Sequence, residues 1–364
     1  MKKQHILFIF FLLFMWTGLE TSAQQTSDPV TAFEILQNKV GIRQQMTSEY
    51  QANGNQFKDV KAFFLNEMEI VKAAESYLRM VKDKNDHQDI VKAVESIVEG
   101  VVLNLHVGAT QFIYSDPVLA VQLLEEYFRA VASPQFSNLK LTALKDAYYV
   151  YATALEDTGG DKAKIESSLK EALTSQYGAL ACLQLQRLYL EQGDQDSYKR
   201  YMEYGFKNYP ETLTLSLNWL RELLASYDYA AAIRDADIVI GRINNGTTEA
   251  SDDAWYPFYF RGVSFFNLEQ YENAYKAFAE ADAKYPEHIE FKIGAASSAL
   301  KIAKQKVSDK AASTQWCQNA LPFLQKAERE FPDASSQWGY LLYSCYTSLG
   351  DTVMAAKYKK YIDS

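Results

Sequence analysis

The sequence predicts an all-α protein, an α-solenoid of antiparallel helix pairs preceded by a helical N-terminal region. Three observations predict it. An aromatic-Pro-acid triplet recurs at Tyr209-Pro210-Glu211, Tyr285-Pro286-Glu287 and Phe331-Pro332-Asp333. Proline ends a helix because it lacks an N–H and clashes with the preceding turn, and the acid then sits where the next helix's dipole favours negative charge. A Gly-Asp pair recurs at Gly160-Asp161, Gly193-Asp194 and Gly350-Asp351, with Tyr227-Asp228 as a variant. Glycine lets a helix end in the left-handed conformation and aspartate caps the helix that follows. Between these signals apolar residues fall at helical spacing.

Read in chain order, residues 1–23 have the form of an export signal. Lys2 and Lys3 precede an apolar run from Ile6 to Leu19, and Thr21-Ser22-Ala23 offers small residues for cleavage. The run is too short to span a bilayer comfortably, no later stretch is apolar enough to do so, and no cysteine stands directly after the cleavage site. The expectation is an exported Gram-negative protein, periplasmic, with secretion left open. Residues 24–135 form the N-terminal helical region. Val30, Phe33, Leu36 and Val40 share one helical face, as do Phe57, Val60, Phe64, Met68 and Val71. A third stripe runs from Ile90 to Leu105; its β-branched residues and the alternation Leu103-Asn104-Leu105-His106-Val107 leave a strand as the minority reading. About sixteen helices in eight pairs are expected in all.

Residues 136–364 carry the repeats. Gly160 to Gly193 is 33 residues and Gly193 to Tyr227 is 34. Pro210 to Pro286 is 76 residues, two such periods plus an insertion, and Pro286 to Pro332 is 46, one period plus 12. The units fall at 179–212, 213–246, 255–288, 289–332 and 336–364, with 146–178 a degenerate one. In 255–288 the pattern is Phe258, Gly262, Phe265, Tyr271, Ala274, Phe278, Ala281 and Pro286. Tyr189, Gly193, Gly205 and Pro210 repeat it in the first unit, Asp228, Tyr229 and Ala232 in the second, and Tyr346, Gly350 and Ala355 in the last. The extra residues of 289–332 predict longer helices around Val307-Ser308-Asp309. This pattern resembles the tetratricopeptide repeat, which implies a right-handed superhelix of stacked hairpins. Arg261 stands where that family places a large apolar residue.

Composition and motifs argue against several functions. The chain carries a net charge of −9, with no Lys/Arg block to hold nucleic acid or an anionic membrane. Beyond the signal, His87, His106 and His288 are far apart and form no metal-ligand pair, so neither a metal nor another cofactor is expected. No nucleophile elbow, dinucleotide fingerprint or phosphate loop occurs; Ser167-Ser168-Leu169-Lys170 and Ser137-Asn138-Leu139-Lys140 fit SxxK without its companion motifs. The chain reads as a non-enzyme. Three cysteines, Cys182, Cys317 and Cys345, are too few for a disulfide scaffold. The helix ends bearing Cys317 and Cys345 meet in an antiparallel stack. Two readings stand: a disulfide closing a loop of about 27 residues, worth ~3 kcal/mol, or two buried thiols, which is the simpler one.

The resemblance implies a binding surface. In the tetratricopeptide family the first helix of each pair lines the concave face at fixed positions, which here fall on Gln184 and Arg187, on Asn218 and Arg221, and on Tyr256, Tyr259, Phe260 and Asn267. An arginine pair suits a carboxylate, asparagine a peptide backbone, and aromatics apolar groups. The same residues admit a duller role, with the aromatics packed inside and the arginines paired to local acids. The leading expectation is a periplasmic adaptor or scaffold that binds a peptide or partner protein in this groove. The alternative is the carbohydrate-binding component of an envelope uptake system, with Trp255, Tyr256 and Tyr259 stacking on sugar rings. The sequence is silent on the oligomeric state.

Overall fold

A computed structural model describes residues 28–81, 87–139 and 141–362. The export signal expected at residues 1–23 lies outside the described residues. Within them the chain forms sixteen α-helices joined by short turns, with three brief 3-10 segments and no strand. It divides into two compact units, Met1–Ala181 and Cys182–Ser364.

The first unit contains α1 (Pro29–Ala52), α2 (Val60–Val81), α3 (Gln88–Phe112), α4 (Pro117–Val131), α5 (Lys145–Asp157) and α6 (Lys162–Ala172). Proline at the first position and an aspartate cap start two of them: Asp28 accepts from Thr31 N at 3.0 Å and Asp116 from Leu119 N at 3.1 Å. The Leu103–Val107 stretch is helical throughout, so the strand reading falls. Its β-branched neighbours Val98, Val101 and Val102 are fully buried, and burial outweighs their weak helix propensity. Glu67 of α2 ties three helices together. It is fully buried, Arg43 Nε of α1 donates to its Oε1 at 2.7 Å, and Asn104 Nδ2 of α3 donates to its Oε2 at 2.8 Å. Burial pushes its carboxyl above the usual range despite these partners.

Helix α7 (Gly178–Gln192) carries the chain into the second unit. There follow α8 (Gln195–Asn208), α9 (Leu213–Ala225), α10 (Tyr229–Asn244), α11 (Tyr256–Asn267), α12 (Tyr271–Lys284), α13 (Ile289–Gln305), α14 (Lys310–Glu330), α15 (Ser335–Leu349) and α16 (Thr352–Tyr358). The repeat is visible in the backbone. Tyr209, Tyr285 and Phe331, each preceding its proline, have φ,ψ of −127°, 67°; −130°, 67°; and −131°, 60°. Each donates its N–H back to a residue of the preceding turn, Gly205, Ala281 or Ala327. The second signal holds at three of its four places; at Gly160-Asp161 the left-handed residue is Gly159, φ 68°, one position earlier than expected, while Asp161 still caps the next helix by accepting from Ala163 N at 2.8 Å. Gly193 and Gly350 take φ of 73° and 76°, and Asp194 and Asp351 cap the next helix by accepting from Ser197 N and Met354 N at 3.0 Å. Tyr227 takes the glycine's place at φ 59°, before the cap Asp228.

The longer unit meets its expectation. Helices α13 and α14 run to 17 and 21 residues around a turn that includes Val307 and Ser308, capped by Asp309. Pro322 departs from the boundary pattern of the other prolines by lying inside α14. Small residues let neighbouring helices close up. A Cβ at Gly262 of α11 or at Gly294 of α13 would fall 2.5 Å or 2.7 Å from the Phe278 ring of α12. Arg261, the departure from the family pattern, is held between α10 and α12, its Nη1 3.1 Å from Asp237 Oδ1 and its Nη2 2.8 Å from Glu280 Oε2. The fully buried Lys292 lies 2.8 Å from Asp282 Oδ1 and also donates to Pro286 O, which fixes the turn before α13. The second unit is thus a run of tetratricopeptide-type helix pairs.

Candidate functional site

The first helices of these pairs present a ladder of polar and aromatic side chains. It begins on α7 with Gln186. This buried side chain donates from Nε2 to Tyr201 O at 3.1 Å, which turns its Oε1 toward α9, where Asn218 Nδ2 donates to it at 2.9 Å. One turn further on, Arg221 Nη1 donates to Asn218 Oδ1 at 3.5 Å. Its guanidinium then lies over the Tyr256 ring of α11, 5.4 Å from the centroid. Tyr256 stacks on Trp255 at 3.9 Å, and Trp255 stacks on His288, at the start of α13, at 4.1 Å. Tyr259 packs edge-on to Trp255 at 5.9 Å. Burial raises its phenol pKa, and the neighbouring Glu290 carboxylate adds to the rise.

The sequence-predicted residues divide as follows. Asn218, Arg221, Tyr256 and Tyr259 come together on one side of the helix stack, with Arg221 exposed and the others half-buried. Arg187 is exposed, the residue next to the ladder's start at Gln186 and about 100° round the helix from it, and Glu191 stands 4.0 Å from its Nε. Gln184 is half-buried on α7. Asn267 is exposed at the far end of α11, about 16 Å along the axis from Tyr256 at 1.5 Å per residue. Its Nδ2 donates to Val263 O of its own helix at 2.9 Å, so the structure does not join it to the others. Phe260 is a correction. It is 6% exposed and packs into the core with Leu217, Leu220 and Val239, so it fills the space between helix pairs and presents nothing to a ligand. Gln186 and His288 were missed. Gln186 gave no sign because its register is that of a core position, and His288 because it follows a turn.

The three histidines among the described residues stay apart. His87 Nδ1 lies 3.3 Å from Tyr77 OH, His106 is half-buried beside the Tyr127 ring, and His288 caps the aromatic column. Burial lowers the His106 pKa. Cys317 and Cys345 are adjacent, buried, free cysteines. Among the described residues no helix is long and apolar enough to cross a membrane.

What the arrangement can do chemically follows from its parts. Exposed guanidinium groups can hold a carboxylate, and the half-open tyrosines add apolar surface beside them. Trp255 differs: it is half-buried, and both Tyr256 and His288 stack on its indole, at 3.9 Å and 4.1 Å between ring centroids.

No family model matches the chain, and no curated protein matches its sequence. Solved structures with a similar course include PilW, a widely conserved type IV pilus biogenesis factor, at 14% identity over 60% of this chain and 92% of that one, with a TM-score of 0.36. The TPR2AB domain of yeast Sti1 in its pHSP90 complex is 13% identical over 83% of this chain and 98% of that one, TM-score 0.28. Yeast Tom70 is 12% identical over 96% of this chain and 71% of that one, TM-score 0.34. The fold assignment rests on the chain's own helix pairs.

Proposed function

We propose that this protein is an exported, periplasmic adaptor or scaffold and that the first-helix side of its second unit binds an extended peptide or partner-protein segment. The observation that carries the reading is the unbroken ladder from Gln186 through Asn218, Arg221 and Tyr256 to Trp255 and His288. It crosses the first helices of four successive pairs, α7, α9, α11 and α13. A surface of that length suits an extended chain better than a compact small molecule. The exposed Arg187 and Arg221 favour a segment with at least one carboxylate, and Tyr256 and Tyr259 favour an apolar or aromatic side chain next to it. Trp255 already stacks on Tyr256 and His288 of its own chain, which weighs against it as a platform for a sugar ring, so the peptide reading is preferred to the carbohydrate one. Export is inferred from the form of residues 1–23.

The test is a selection from a displayed peptide library against the full chain, repeated with Arg187→Glu combined with Arg221→Glu. The expected outcome is an enriched acidic-aromatic consensus that the double variant no longer captures, while its helical circular dichroism is unchanged. Undiminished capture by the double variant contradicts the proposed surface.

A further inference from the structure

We propose that Cys317 and Cys345 are a disulfide-forming pair that cross-links α14 to α15, and that Cys182 takes no part. The argument starts from position. The two residues lie on successive antiparallel helices, and both point into the same core, with exposures of 1% and 0%. The Cys345 thiol donates to Cys317 O at 3.1 Å, so its sulfur lies one carbonyl away from the partner's Cα. Their proximity couples the two thiols, which lowers the Cys317 pKa and raises that of Cys345. With the Cys345 sulfur already at the Cys317 backbone, a change of side-chain rotamer is the movement that brings the two sulfurs to the bonded separation of about 2.05 Å. Cys182 is engaged elsewhere, donating to Tyr201 O at 3.2 Å, and burial pushes its thiol up to about 12.

The oxidant required is a disulfide, either a small one such as glutathione disulfide or that of a dithiol oxidase. The Cys317 thiolate attacks one sulfur of the oxidant, forming a mixed disulfide and expelling a thiolate. The Cys345 thiolate then attacks the Cys317 sulfur and expels the second. The two cysteine protons end on the two leaving thiolates, so the protein loses two hydrogens and the oxidant becomes two thiols. Both sulfurs are buried, so exchange proceeds while the helices are docking or when α15 opens locally.

The test uses the full chain and glutathione disulfide. The protein is unfolded in urea, refolded with a glutathione redox buffer, and compared with protein refolded in reductant. The reduced sample should titrate three thiols and the oxidised sample one, with a mass lower by about 2 Da and a proteolytic peptide pair joined through Cys317 and Cys345. Cys182→Ser, which leaves the pair intact, should titrate none after oxidation. Three thiols remaining in the oxidised protein, a stable glutathione adduct on either residue, or a cross-link that includes Cys182 would each overturn the proposal.

Discussion

The Phe278 ring rests on the bare backbone of Gly262: a Cβ at Gly262 would stand 2.5 Å from the ring's Cε1. The same ring lies against Gly294, so one side chain of α12 fixes the approach of both α11 and α13. Gly262→Ala forces that wedge apart. Overpacking of this kind costs about 1–3 kcal/mol, set against about 0.5–1 kcal/mol gained by replacing a helical glycine, so a net loss of about 1–2 kcal/mol is expected. The urea midpoint of the variant measures it. An unchanged midpoint would show that α11 and α12 are not this close.

Tyr227 occupies a left-handed position, φ 59°, at the turn between α9 and α10, and it is 76% exposed. Gly193 and Gly350 hold the equivalent place in two other hairpins. The left-handed conformation costs an L-residue about 1–2 kcal/mol, partly offset by glycine's greater entropy when unfolded. Tyr227→Gly should therefore stabilise the protein by about 0.5–1 kcal/mol. Tyr227→Ala keeps the strain and should bring no such gain. Thermal melts of the two variants distinguish relief of strain from loss of the ring.

Glu67 makes stability depend on pH. Its folded pKa is raised by burial above the ordinary 4.5, so the native state holds the proton more tightly than the unfolded chain does. Stability from this group is complete below pH 4.5 and is lost as pH rises through the raised value. Glu67→Gln removes the titration. Urea midpoints across that range should fall with pH in the wild type relative to the variant; a relative rise would contradict the assignment.

The hairpins could be read because proline and glycine act locally. Tyr209, Tyr285 and Phe331 adopt one conformation since the following proline excludes the helical alternative. The longer α13 and α14 were legible from spacing alone. The site was less so. Tyr259 and Phe260 are neighbours about 100° apart on one helix, and which ring faces outward depends on how α9 and α10 pack against α11. The Trp255–His288 stack joins a helix start to a turn two helices later, a contact between distant residues that no local signal encodes.

The central claim is that binding follows the ladder and not the net charge. Titration calorimetry of a selected consensus peptide against the wild type, Arg221→Glu and Arg200→Glu tests it, because both variants make the same charge change. Arg221 lies on the ladder, whereas Arg200 lies on α8, over the Tyr201 ring. Affinity should fall by about tenfold or more, roughly 1.4 kcal/mol, in Arg221→Glu and stay at the wild-type value in Arg200→Glu. Equal losses in the two variants, or none in Arg221→Glu, would contradict the account.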